Sequence, residues 1–225
     1  MTTIRIKLNQ VFLLAGLLNI FPINNIVSQD LNTAVTYTKS EKYDAADEIY
    51  KQIIKNEPNN SKAYFFYGEN RILNYFSDTI SNSLFETSRE AREIFNKGVE
   101  VNNSDPLNYI GLAKVEFYNG KDSEAEKLRA KAKSLLPPYK KVKKILNPKD
   151  YAYALAKIGE SYIRGKTVDT SRALPFLREA VSIDKTNPDI YIILGDVYIL
   201  VNDGTKSIYN YNLPRHMIRD LQQPT

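Results

Sequence analysis

The chain has 225 residues, 25% of them charged and 43% hydrophobic, with a formal net charge of +5, a balance that suits a packed core or a repeat array and excludes gross disorder. It contains no cysteine, which excludes disulfide staples, thiolate metal centres, cysteine nucleophiles and a lipidated cysteine behind an export signal. The one histidine, His216, stands near a polar terminus and reads as a solvated side chain rather than a ligand or base.

Residues 1–28 carry Arg5 and Lys7, then an apolar run from Val11 to Leu18, then a polar stretch closing on Ser28, which is the order of a secretory signal peptide. The run falls far short of the ~20 residues of a spanning helix. Cleavage after Ser28 puts a small residue in the peptidase pocket, although Ile26 is bulkier than the preferred alanine; a buried first helix is the other reading. Cleavage removes two basic residues and no acid, so it lowers the net charge of +5 by two. An exported, cysteine-free chain belongs in the periplasm or at the outer membrane, where nucleic acid is not an expected partner.

The helical pattern of residues 43–60, YDAADEIYKQIIKNEPNN, recurs down the chain. A small residue on one predicted helix precedes a small residue on the next at a fixed offset: Ala34 before Ala46, Ala113 before Ala125, and Gly195 before Ser207. Gly159 to Ala173 is two residues longer. Two antiparallel helices approach closely only where Gly or Ala leaves room, and the aromatics Tyr37, Tyr162 and Tyr198 fill the adjacent space. Residues at i, i+4 and i+7 of the second helices (Ala46, Tyr50, Ile53; Ala173, Leu177, Ala180) make one inward stripe. One helix pair cannot bury that stripe, so neighbouring pairs must stack. Turn chemistry agrees: Asn119-Gly120 and Asp203-Gly204 fall where a positive φ is useful, and Ser123 with Glu126 has capping-box spacing.

The segments AVTYTKSEKYDAADEIYKQIIKNEP, AYFFYGE with EAREIFNKGVEV, NYIGLAKVEFYNGKDSEAEKLRAKAKSLLP, ALAKIGESYIRG with RALPFLREAVSIDKTNP, and IYIILGDVYILVNDGTKSIYNY together resemble the tetratricopeptide-repeat family, whose unit is ~34 residues of helix-turn-helix. The resemblance implies an all-α, right-handed superhelical solenoid of stacked antiparallel helix pairs, about five units over 29–213. Two insertions interrupt it, near 72–87 and 138–150. The first is expected to lengthen its helices or protrude, with Tyr75, Phe76 and Phe85 packed beneath it or, as the alternative, meeting a partner. Pro214 is expected to end the last helix, since its ring clashes inside one, leaving 214–225 as an irregular tail, truncated or altered from a longer array.

No catalytic constellation is legible. Close carboxylates such as Asp47 with Glu48 and Glu90 with Glu93 lie on amphipathic faces, there is no phosphate-cradling glycine loop, and one histidine with scattered acids makes no metal site. The expected protein is not an enzyme and uses no cofactor or metal. The resemblance places a partner groove on the concave side, at residues three before the small one and one, four and five after it. These are Phe65, Glu69, Ile72 and Leu73; Ile110, Lys114, Phe117 and Tyr118; Ala156, Glu160, Ile163 and Arg164; and Ile192, Asp196, Ile199 and Leu200. Among them Phe65, Glu69, Lys114, Phe117, Tyr118, Glu160, Arg164 and Asp196 are the expected partner-binding residues; the charged ones should face solvent or a partner, because unpaired buried charge is costly. Val35, Glu69 and Glu160 stand where the family's carboxylate-gripping members carry asparagine, so that ligand does not transfer.

Between Lys127 and Lys149 lie nine basic residues and no acid, among them Lys140, Lys141, Lys143 and Lys144. This stretch is either a lysine-rich linker complementing a helix end or a docking patch for anionic envelope components. The leading expectation is a scaffold for a protein or peptide partner in the cell envelope. The alternatives are a glycan- or anionic-surface-binding module, or the repeat arm of a longer envelope protein or enzyme.

Overall fold

A computed structural model describes residues 23–142, 147–164 and 167–221, with side chains for 31–141, 147–164 and 167–214. Residues 1–22 of the expected leader, and Lys143 and Lys144, lie outside the described residues. Among those described the chain is helical without a strand. Five antiparallel pairs follow one another: α1 (Ile23–Lys39) with α2 (Tyr43–Asn56), α3 (Ser61–Ser77) with α4 (Leu84–Val101), α5 (Pro106–Tyr118) with α6 (Asp122–Ser134), α8 (Pro148–Ser161) with α9 (Thr170–Ile183), and α10 (Pro188–Leu200) with α11 (Gly204–Leu221). The single turn α7 (Tyr139–Val142) lies in the longest connection.

Small residues set the stacking. Ala46, Ala91, Ala125 and Ala173 are fully buried. Phe95 shows why: its ring lies against Gly68 of its own pair and Gly111 of the next, so that a Cβ at either glycine would overlap the ring. The first helices α1, α3, α5, α8 and α10 touch in succession as an inner row. One apolar core runs from Phe65 through Phe95, Ile110 and Ile158 to Val197, and a smaller one holds Ala34, Ala46, Tyr50, Ile53 and Ala63. Phe66 packs against both.

The inner helices start on strong signals. Asn60, Asp105, Asn147 and Asn187 each accept a hydrogen bond from a main-chain N–H in the first turn, and proline follows at Pro106, Pro148 and Pro188. Such caps satisfy donors the helix leaves free, and proline costs nothing where its N–H is not needed. Buried amides then tie pairs together. Asn70 donates to the Tyr43 carbonyl at 3.1 Å and accepts from Thr38 at 2.7 Å, and Asn108 donates to the Ser61 carbonyl at 3.0 Å.

Several local expectations are corrected. Gly120 has φ of 73°, but in the last pair the left-handed residue is Asn202 at 59°, not Gly204, which opens α11 behind the capping carboxylate of Asp203. Glu41, also at 59°, fills the same register place. The Ser123–Glu126 capping box does not form, because α6 begins at Asp122, directly behind the left-handed turn, and Glu126 pairs instead with Arg129 and Arg172. The helix does not end at Pro214. α11 continues through that buried proline to Leu221, so most of the expected irregular tail is helical; packing of α11 along α10 outweighs one lost main-chain bond. The first insertion lengthens α3 to 17 and α4 to 18 residues, joined by a short turn in which Asp78 accepts from the N–H groups of Ile80 and Ser81.

Candidate functional site

The residue following the small one is Val35 on α1 and is charged on the other four inner helices: Glu69 on α3, Lys114 on α5, Glu160 on α8 and Asp196 on α10. Stacking brings these into one network. Lys114 Nζ lies 2.7 Å from Glu69 and 3.4 Å from Glu160. Lys157 Nζ lies 2.6 Å from Glu160 and 3.2 Å from Glu69. Arg164 reaches Glu160 at 3.4 Å and also pairs with Asp196, which accepts the Tyr211 hydroxyl at 2.5 Å. Glu69, Lys114 and Glu160 are buried. The expectation that they face solvent or a partner is therefore corrected: opposite signs at one register position on successive helices satisfy each other.

Electrostatics follow from that closure. Burial pushes the Glu69 and Glu160 carboxyls up, but Lys114 and Lys157 more than reverse it, so both sit below the ordinary carboxylate range. Burial pulls the Lys157 ammonium down, and Glu160, Tyr153 and Glu69 carry it well above the usual lysine value. The Tyr50 phenol, buried at the edge of the pocket, is pushed up to about 12.

Phe65 and Phe117 are corrected as well: they are 0% and 3% exposed, hence core rather than partner-binding. Phe65 packs on the rings of Phe66, Phe95 and Tyr153, and Phe117 lies under the Arg129 guanidinium at 5.1 Å. Tyr118 is half-buried with its ring against Phe76. Leu73 and Ile192 remain open, each 43% exposed, and Arg164 keeps 42% of its side chain accessible.

Those open residues face a concave pocket of about 190 Å³, walled by Val35 and Thr38 of α1, Leu73 of α3, Tyr153 and Lys157 of α8, and Ile192 of α10. The charge network is its floor. The superhelix curls tightly enough that Lys39 of α1 reaches Asp189 of α10, 2.7 Å away, at the rim. Lys157 and Tyr153 escaped the sequence template because they lie two and six residues before Gly159, off its chosen positions; the spacing of Lys157 from Glu160, one helical turn, was the available signal. A larger cleft of about 790 Å³ lies where the N-terminal ends of α3, α5 and α8 converge, bounded by Lys62, Asp105 and Asp150. The cap side chains there already serve their own helices.

The basic stretch is partly absorbed by the fold. Arg129 is buried between the rings of Phe117 and Tyr162, Lys131 and Lys133 lie over Tyr109 and Phe176, and Lys127 pairs with Glu124. Lys140 and Lys141 are exposed on α7. Among the described residues no helix is long and apolar enough to cross a membrane.

Comparison with known proteins bears on this array directly. The tetratricopeptide-repeat family model matches residues 31–60, most of the first pair. A solved tetratricopeptide-repeat protein of Thermus thermophilus, 17% identical, aligns over 85% of this chain and 91% of its own with a TM-score of 0.54. The described helix pairs have the tetratricopeptide-repeat fold. The insertions at the α3–α4 turn and around α7 are thus departures within a tetratricopeptide-repeat array. A second structure, YrrB, described as a tetratricopeptide-repeat protein with an unusual peptide-binding site, aligns over 88% of this chain and 92% of its own at 14% identity and a TM-score of 0.41. No curated protein matches the sequence.

Proposed function

We propose that this tetratricopeptide-repeat array is a non-catalytic interaction scaffold that takes an extended segment of a partner protein into its concave pocket. One observation carries the reading: Leu73 and Ile192 stay open in the walls of a pocket whose charged floor is already neutralised by its own pairs. A volume of about 190 Å³ suits one bulky apolar side chain of a partner, and such anchors supply most of the energy of peptide recognition. Arg164, half-exposed at the rim, offers donors to main-chain carbonyls or an acidic group beside that anchor.

The setting we propose is the cell envelope, resting on the leader-like residues 1–28. Cleavage after Ser28 would leave the first helix starting at Gln29. The anionic-surface alternative is less well supported, because the structure engages Arg129, Lys127, Lys131 and Lys133 internally.

The chain has no tryptophan, so a tryptophan-anchored peptide library reports binding by its own fluorescence. Leu73→Glu and Ile192→Glu are expected to weaken a bound peptide about tenfold or more, while Phe85→Glu, at a residue exposed in the first turn of α4 and outside the pocket lining, changes nothing. Equal affinity in all three variants would move the site off the concave face.

A further inference from the structure

The concave pocket and the larger cleft meet at one pair of rings. Phe66 of α3 and Tyr153 of α8 wall the pocket of about 190 Å³ that holds Leu73 and Ile192, and the same two side chains wall the cleft of about 790 Å³ at the N-terminal ends of the inner helices. Their centroids stand 6.0 Å apart. Because α5 lies between α3 and α8 in the inner row, the two rings close the groove in front of it.

Ion pairs one helical turn away on either side brace this contact. Toward the cleft Lys62 reaches Asp150 at 2.9 Å, and toward the pocket Lys157 reaches Glu69 at 3.2 Å. The first pair is exposed and adds little. The second is largely buried, and the fully buried Phe65 sets its ring edge-on against both Phe66 and Tyr153, so the two rings are backed by the core as well as by each other. Truncating either ring opens the pocket into the cleft.

We infer that Phe66 and Tyr153 fix the depth of the concave pocket and so decide what it accepts: a compact apolar side chain of a partner protein, and not a long unbranched chain such as a lipid acyl group. The inference deepens the scaffold reading and rests on it for the identity of the occupant alone. Alkyl maltosides from butyl to dodecyl, kept below their micelle concentrations, test the depth without a partner, because the neutral sugar stays at the mouth while the chain enters. Methyl resonances of Leu73 and Ile192 report the pocket, and those of Leu107 and Leu136 report the cleft.

In the unaltered chain, affinity at the pocket should climb about fourfold per added carbon and then level off, with no coupled shift in the cleft. In Tyr153→Ala and Phe66→Ala it should go on climbing to dodecyl, and the cleft methyls should shift together with the pocket methyls. Should an alanine variant lose helical circular dichroism, Tyr153→Leu and Phe66→Leu thin the wall while keeping it apolar, and levelling should move to longer chains. A climb through dodecyl in the unaltered chain, an unchanged levelling point in folded variants, or no shift at Leu73 and Ile192 with any chain would overturn the inference. A library peptide that binds without displacing octyl maltoside from Leu73 and Ile192 would instead overturn the scaffold's pocket and leave the partition standing.

Discussion

Phe95 illustrates how much one side chain decides. Its ring fills the space left by Gly68 and Gly111, so it joins two neighbouring pairs at once. Phe95→Ala should cost about 3–5 kcal/mol, and Gly68→Ala about 1–3 kcal/mol because the added methyl cannot clear the ring; chemical denaturation measures both. The charge network makes a different prediction. Glu69 and Glu160 titrate below the ordinary carboxylate value of 4.5 in the fold, so the stability they contribute is complete above that value and is lost as pH falls toward their folded values. Lys157, raised above 10.5, contributes fully below that pH and loses its contribution as pH rises beyond it. Glu160→Gln should therefore lower stability at neutral pH by about 3–5 kcal/mol, as expected for opening a buried pair. It should also flatten the decline between neutral pH and pH 3, read from melting temperatures at each pH. Glu69, Lys114 and Glu160 were visible in the sequence as groove positions, but their pairing with one another and with Lys157 was not. Whether Lys114 meets solvent or Glu69 depends on the curl of the inner row, which no local pattern states.

The helices themselves rest on short-range chemistry. The Asp-Pro and Asn-Pro starts of α5, α8 and α10 combine a side-chain cap with a proline that needs no hydrogen bond. Asn147→Ala and Asn187→Ala should each lower stability by about 1 kcal/mol, and a larger loss in denaturation would mean the residue has a further role. The α1–α2 turn carries a strain that the α5–α6 turn avoids. Glu41 holds a positive φ of 59° where Gly120 serves in the later pair. Because a side chain in that region costs about 1–2 kcal/mol, Glu41→Gly should raise the melting temperature. Asn202 tolerates the same conformation better. The left-handed place is set by its register, two residues before the second helix, and not by the Asp203-Gly204 dipeptide. Pro214 inside α11 follows a related rule: a proline's local penalty is fixed, while the packing that offsets it belongs to the neighbouring helix.

At the scale of the molecule, repeats stabilise one another by nearest-neighbour contact. The inner helix α5 buries ten of its thirteen residues, whereas the core under α1 and α2 is a small separate cluster joined to the rest through Phe66. Amide exchange should be slowest in α5 and α8 and clearly faster in α1 and α2, which lie at an end of the stack. The contact of Lys39 with Asp189 across the opening joins an exposed lysine to a half-buried carboxylate, so Lys39→Glu should change stability by about 1 kcal/mol or less. Its effect would appear in peptide on-rates at low salt rather than in unfolding.

Repeat number, helix pairing and the burial of the small residues could be read from the chain alone, because close approach of two helices demands a small residue on each and every copy repeats that demand. The depth of the concave side could not. Its closure depends on small rotations between successive pairs, and these accumulate until α1 meets α10, carrying Glu69, Lys114 and Glu160 out of solvent and leaving Leu73 and Ile192 at the surface. A side chain's register is a property of its own helix; its exposure is set by helices far away in the chain.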